Sequence, residues 1–191
     1  NYDKIIRQSY HGGWCYVNPK FANKIVENGC TYDVNSLYPS VMHSDSGNIY
    51  PYGLPIAHTY GAMPVIQKNQ YAFIRFRCRF DIKPNKLPFI QIKNKFCYNP
   101  NEHLTTSDII LHGIRSRYYM DETGNQHDTI CDMTMTQTDF NLFLEHYNVF
   151  DFELIECVVF RARAGMFDEY INKWRDVKIN AKNGKAQGLR R

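Results

Sequence analysis

Seven consecutive residues limit what this chain can fold into. Ile74-Arg75-Phe76-Arg77-Cys78-Arg79-Phe80 alternates apolar and cationic side chains without a break. Successive side chains of a β-strand point to opposite faces, so the alternation predicts a strand over 71–80 with one buried face and Arg75, Arg77 and Arg79 sharing the other. A strand needs neighbours, and the chain offers several. Leu87 to Ile92, Ile110 to Tyr119, Asp128 to Thr134 and Phe152 to Phe160 carry strand character, and Asp121 to Asn125 reads as a hairpin loop. Helical signals are fewer. Thr138 with Asp139 opens a helix whose Phe140, Leu142, Phe143, Leu144 and Tyr147 give i, i+3, i+4 contacts. Gly165 precedes an amphipathic segment from Met166 through Trp174 to about Ile179. The fold class expected is α+β.

Chemistry concentrates earlier, in Thr31-Tyr32-Asp33-Val34-Asn35-Ser36-Leu37-Tyr38-Pro39-Ser40-Val41-Met42. Cys30 to Val34 is short, β-rich and largely apolar, as a buried strand should be, and Asp33 is its one charge. A buried lone carboxylate costs several kcal/mol unless a partner, a donor or a metal offsets it. Ser36 or Asn35 then caps a short helix whose exposed N–H groups face an anion, with Tyr38-Pro39 holding a ring beside it. Carboxylate, amide cradle and aromatic wall suit a metal-bound triphosphate and a sugar; a capped turn with a core tyrosine is the plainer alternative. Downstream, Ser44-Asp45-Ser46-Gly47 should fray the helix, and Tyr50 to Pro55 reads as an extended, turn-rich crossing at a subdomain boundary.

Upstream, Ser9-Tyr10-His11-Gly12-Gly13-Trp14 reads either as a hairpin turn or as a turn into a strand where something approaches the backbone closely. Residues 17–29 are most simply a loop or short helix.

At 191 residues and 43% hydrophobic content the chain can bury a real core. Its 14 Tyr and 12 Phe serve that core first, and surfaces that stack on bases second. The net charge of +4 is only mildly basic, but Lys and Arg gather in 75–95 and 161–191. These stretches are either a nucleic-acid face or a solvated basic face. The cysteines show no C-x-x-C pair, the histidines no zinc spacing, and nothing resembles a signal peptide or membrane span. Reduced thiols, a cytoplasmic setting and no structural zinc are expected.

The string Asp33-Val34-Asn35-Ser36-Leu37-Tyr38-Pro39-Ser40 closely resembles motif A of family B DNA polymerases, especially the protein-primed, organellar and viral type of bacteriophages, linear plasmids and related mobile elements. The resemblance implies that Asp33 binds two Mg²⁺ ions, with Mn²⁺ as a substitute, and that Val34 adds its carbonyl oxygen. Ser36 and Leu37 would hold the incoming dNTP, and Tyr38 would pack under the sugar and exclude a 2′-hydroxyl. Tyr10, Gly12 and Gly13 match the family's Tyr-x-Gly-Gly motif, implying contact with single-stranded template DNA. Pro51 to Pro55, Ile90 to Lys95, Asn101-Glu102 and Glu145 to Asn148 look like family landmarks in the family's order, and the resemblance implies that an insertion called TPR1 lies between motif A and the fingers and helps to bind the terminal protein that supplies the priming hydroxyl. Gly165 to Trp174 resembles the entry to the fingers, where Lys178 would meet triphosphate and Arg190 DNA.

These landmarks divide the chain into a partial palm at 1–50, a β-rich TPR1-like subdomain at 51–165 and the start of the fingers at 166–191. The family's Asn-Ser-x-Tyr-Gly and Asp-Thr-Asp motifs do not occur here, nor do its exonuclease motifs. Two-metal nucleotidyl transfer needs more than one carboxylate, so the isolated chain is expected to be inactive and the longer protein to be the enzyme. The partners implied are template and primer DNA, dNTP, a terminal protein and the remaining polymerase parts, without a membrane. The setting implied is a bacterial host's cytoplasm, an organelle being the alternative. A competing reading is a non-catalytic terminal-protein or DNA-binding module with a relict motif A, in which Arg75, Arg77 and Arg79 carry the binding. A small nuclease is disfavoured, because no second carboxylate cluster accompanies Asp33.

Overall fold

A computed structural model of the chain describes residues 2–10, 19–21, 23–87, 90, 109–111, 114–116, 118–120, 123–128 and 130–180. The alternating stretch is a strand, β2 (Gln70–Ile82). Its neighbours are β1 (Tyr50–Tyr60), β7 (Cys131–Thr136) and β8 (Tyr147–Arg163), in the spatial order β1-β8-β2-β7. β2 and β7 run antiparallel, from Phe73 opposite Thr136 to Cys78 opposite Cys131. The expected strand over 110–119 is instead three short ones, β3 (Ile109–Leu111), β4 (Ile114–Ser116) and β5 (Tyr118–Met120). β3 pairs with β4, and β5 with β6 (Gln126–Asp128) across the predicted hairpin loop. Most of the expected strand at 87–92 lies outside the described residues, as does the Gly12-Gly13 turn. The lead-in segment forms a helix, α1 (Tyr2–Gln8), which the sequence reading did not anticipate.

Two of the corrections have a clear physical cause. Tyr50 to Pro55 is not a turn-rich crossing but the first half of β1, despite Pro51, Gly53 and Pro55. β1 is an edge strand, where a missing N–H breaks no inner ladder. Cys30 to Val34, expected as a buried strand, is irregular and exposed. No described residue supplies a ladder to it, and a strand forms only where another pairs with it.

The described chain divides into two compact units. The first comprises Asn1–Glu27, Ile56–Ile66 and Ala72–Val159. Ala72, Ile74, Phe76, Cys78 and Phe80 form the buried face of β2 and pack with Phe140 and Phe143 of α3 (Gln137–His146) and with Tyr147. The aromatic residues pack mainly against each other: Phe76 lies 5.1 Å from Phe140, and Phe80 meets Phe143 and Tyr147 edge-on at 5.4 and 5.2 Å. α3 begins one residue before the expected Thr138, because Thr136 caps it, its Oγ1 accepting from the Asp139 N–H at 3.2 Å. Burial pushes the Cys78 thiol up to about 12 and the Cys157 thiol to about 11, so both remain protonated apolar fillers.

The opposite face of this sheet carries the arginines, and each faces an acid. Arg75 lies 3.4 Å from Asp132 and 3.7 Å from Glu156, Arg77 lies 3.2 Å from Glu153, and Arg79 pairs with Asp151. His58 on β1 approaches Glu156 at 3.1 Å, so His58, Glu156, Arg75 and Asp132 form a row with one side chain from each strand in sheet order. Arg79 is only 8% exposed.

The second unit comprises Asn28–Pro55, Gln67–Tyr71 and Phe160–Arg191. It holds the short α2 (Leu37–Met42) and the longer α4 (Asp168–Asn180). The Ala162 N–H donates to the Asn69 carbonyl at 2.8 Å, and Arg163 lies over the Tyr52 ring at 5.2 Å. Among the described residues no helix is long and apolar enough to cross a membrane.

Candidate functional site

The motif-bearing segment enters α2 through a strained turn. Ser36 stands at the N-cap with φ 55° and ψ 44°, a left-handed conformation that costs a non-glycine residue about 1 kcal/mol or more. Its side chain makes no cap, contrary to the expected role for Ser36 or Asn35. The Ser36 carbonyl instead accepts the Ser40 N–H at 3.0 Å, and Pro39 is tolerated because it sits in the first turn, where its missing N–H has no helical acceptor. The helix stops at Met42, a 3-10 turn follows at Ser44–Ser46, and Gly47 closes it with φ 74°.

The Ser36 hydroxyl is turned to another purpose. Lys178, on the last turn of α4, donates from Nζ to Ser36 Oγ at 2.9 Å across 142 positions of sequence. At the other end of α4, Asp168 accepts from the Ser44 N–H at 2.9 Å and from the Ser44 hydroxyl. Between these two ties lies a groove of about 810 Å³. Ser36, Pro39, Ser40 and His43 line it from one side at helical spacing, and Ile171, Trp174, Arg175 and Lys178 from the other. That spacing was visible in the sequence; the pairing of the two faces was not.

The electrostatics differ between the two ends. The hydrogen bonds that Ser44 donates from its hydroxyl and its N–H hold the Asp168 carboxyl below the usual carboxylate range, and His43 adds to the effect. Lys178 is paired with a neutral hydroxyl, and no carboxylate among the described residues neutralises it. A cation so placed can exchange its hydroxyl for a phosphate oxygen at little cost.

The remaining predicted positions are open to solvent. Asp33 is exposed and has no ion pair or hydrogen bond among the described residues, so the argument from burial does not apply to it. Tyr38 is 77% exposed, Val34 and Leu37 are also exposed, and none of these lines the groove. Tyr10 belongs to the first unit and is exposed. Gly12, Gly13 and Arg190 lie outside the described residues. Ser44, Asp168, Trp174 and Arg175 were missed by sequence reasoning. The Asp33 carboxylate and Val34 carbonyl are hard oxygen donors of the kind Mg²⁺ takes, yet too few to hold it, and no cluster of three or more potential ligands occurs among the described residues.

This α+β arrangement has counterparts among solved polymerases. The structure of Phi29 DNA polymerase complexed with primer-template DNA and incoming nucleotide substrates matches 99% of this chain with a TM-score of 0.76 and 30% identity, over 29% of that chain. The DNA polymerases of Bacillus phages B103 and PZA are 33% and 32% identical over 185 residues, 97% of this chain and 28% of each polymerase. That of Streptococcus phage Cp-1 is 31% identical over 152 residues, covering 80% of this chain and 23% of that protein. The chain thus spans less than a third of the length of these polymerases. The family model for DNA polymerase type B, organellar and viral, matches residues 1–191, and the chain belongs to that family.

Proposed function

We propose that this chain is the motif A portion of a DNA-directed DNA polymerase that extends a protein primer, and that it helps to capture the incoming dNTP. The observation that carries the reading is the contact between Lys178 and Ser36. It joins the turn after Asp33 to a helix cation that lacks a carboxylate partner, which is what a triphosphate with several negative oxygens requires. Lys178 and Arg175 bind phosphate, the Ser36 hydroxyl orients it, and Leu37 contributes from the first turn of α2. Tyr38, exposed beside this segment, acts as the wall under the sugar. Tyr10, Gly12 and Gly13 contact template, and Arg190 contacts DNA. Residues 51–165 serve as the TPR1-like surface for a terminal protein.

Asp33 is the catalytic carboxylate. With the Val34 carbonyl and donors from the rest of the polymerase it would hold Mg²⁺, which when bound neutralises phosphate charge. Since the described residues supply too few such donors, the 191-residue chain by itself should not incorporate nucleotide. The relatives are phage proteins, in keeping with work in the cytoplasm of a bacterial host. The test is Asp33→Ala in the full-length polymerase. Incorporation should fall by about a thousandfold or more, roughly 4 kcal/mol of barrier, while primer-template binding persists. Unchanged incorporation would overturn the reading and leave a binding module.

A further inference from the structure

One cluster in the second unit has no part in that reading. Asp168 opens α4, yet its two carboxylate oxygens accept from Ser44, 124 positions earlier, and not from the first turn of its own helix. Gly165 is shaped around this contact. Its φ of +75° suits glycine, and a Cβ there would stand 3.3 Å from Asp168 Oδ2. The Phe167 ring meets Tyr50 edge-on at 5.3 Å, so the residue before the helix is also held.

We propose that the Ser44–Asp168 tie is a positioning device for nucleotide capture: it anchors the first turn of α4 so that Lys178 stands opposite Ser36. The inference rests on the nucleotide reading of Lys178. Lys178 lies ten positions beyond Asp168, about 15 Å along the helix axis. A tilt of about 10° at Asp168 would move the far end by ~2.6 Å, enough to break a hydrogen bond of 2.9 Å. One accepted hydrogen bond would hold the first turn of α4 more loosely. Two bonds to a single residue, one from backbone and one from side chain, fix direction as well as position. Asp168 and Ser44 touch no substrate in this scheme and act through Lys178.

The experiment is steady-state incorporation of the template-matched dNTP by the full-length polymerase carrying this chain. Wild type is compared with Lys178→Ala, Asp168→Ala, Asp168→Asn and Ser44→Ala, with thermal unfolding followed in parallel. Asp168→Ala should raise the KM for dNTP about five- to tenfold while kcat stays within about twofold, since a small misplacement weakens capture before it touches chemistry. Ser44→Ala should give a smaller rise, because its N–H still donates. Asp168→Asn should recover much of the loss, because its amide oxygen can still accept the Ser44 N–H while its NH2 donates to the Ser44 hydroxyl oxygen. Ser44→Ala combined with Asp168→Ala should be no worse than Asp168→Ala alone. If Lys178→Ala raises KM and Asp168→Ala does not, the positioning role falls and the nucleotide reading stands. If Lys178→Ala leaves KM unchanged, both fall. Should Asp168→Ala fail to fold, Ser44→Ala decides, and an unchanged KM in that variant overturns the inference. A loss of kcat matching the rise in KM would also overturn it, since that marks general damage.

Discussion

The two units use their cations differently. On the sheet of the first unit, Arg75, Arg77 and Arg79 each face a carboxylate from β7 or β8, and Arg79 is nearly buried against an exposed partner, Asp151. In the groove of the second unit, Lys178 donates to the Ser36 hydroxyl and forms no ion pair among the described residues. An arginine already paired with an acid must give up that pair to bind phosphate, whereas a lysine resting on a hydroxyl does not. Sequence places both sets of cations in basic stretches, and the partner decides which set is structural and which is free to bind. The reading in which Arg75, Arg77 and Arg79 form a DNA-binding face loses its main support here.

Asp33→Ala, with the loss of incorporation given above, is the largest effect expected, and it should leave both units folded. Next is Phe76→Ala, which removes a fully buried ring that meets Phe140, Phe143 and Phe152. It should cost about 3–5 kcal/mol in denaturant unfolding of the first unit. The comparison itself is tested by crossing Lys178→Ala with Arg77→Ala. Lys178→Ala should raise the KM for dNTP about tenfold, near 1.4 kcal/mol, with little change in melting temperature. Arg77→Ala removes an exposed pair and should change stability by less than about 1 kcal/mol. It should also leave the slope of DNA affinity against salt unaltered, and a flatter slope would return Arg77 to the DNA face. Thr136→Ala removes the α3 cap and should cost about 1 kcal/mol, read as a lower melting temperature.

The smallest expected effect is acid dependence of the α4 tie. Asp168 has a carboxyl held below its ordinary value of 3.8, so its charge favours the folded form above that value. That contribution should persist as pH falls to about 4 and disappear only as pH drops through the lowered value. NMR titration of the Asp168 carboxyl would check it, and a midpoint at or above 3.8 would contradict the tie.

Several features could be read directly from the sequence. The alternation in Ile74 to Phe80 gave β2, and the i, i+3, i+4 pattern after Thr138 gave α3 with its start misplaced by one residue. Gly165 and the amphipathic run after it gave α4, whose last residue is Asn180. The family resemblance implies triphosphate contacts at both Lys178 and Ser36, and the fold brings Lys178 Nζ to 2.9 Å from Ser36 Oγ. The Cys30 to Val34 strand failed because β character there describes a preference, and a strand exists only where another strand pairs with it. β1 was missed for the complementary reason: two prolines and a glycine discourage a central strand, and nothing local announces an edge.

By itself, the sequence determined the periodic elements, the family and the residues capable of the chemistry, because each is written in spacings of a few positions. Only the tertiary structure decided which charged groups find partners. Arg79 met Asp151 across 72 positions, and Ser44 met Asp168 across 124. Such contacts depend on strand register and helix placement, which follow from packing the whole core and from no short stretch of chain.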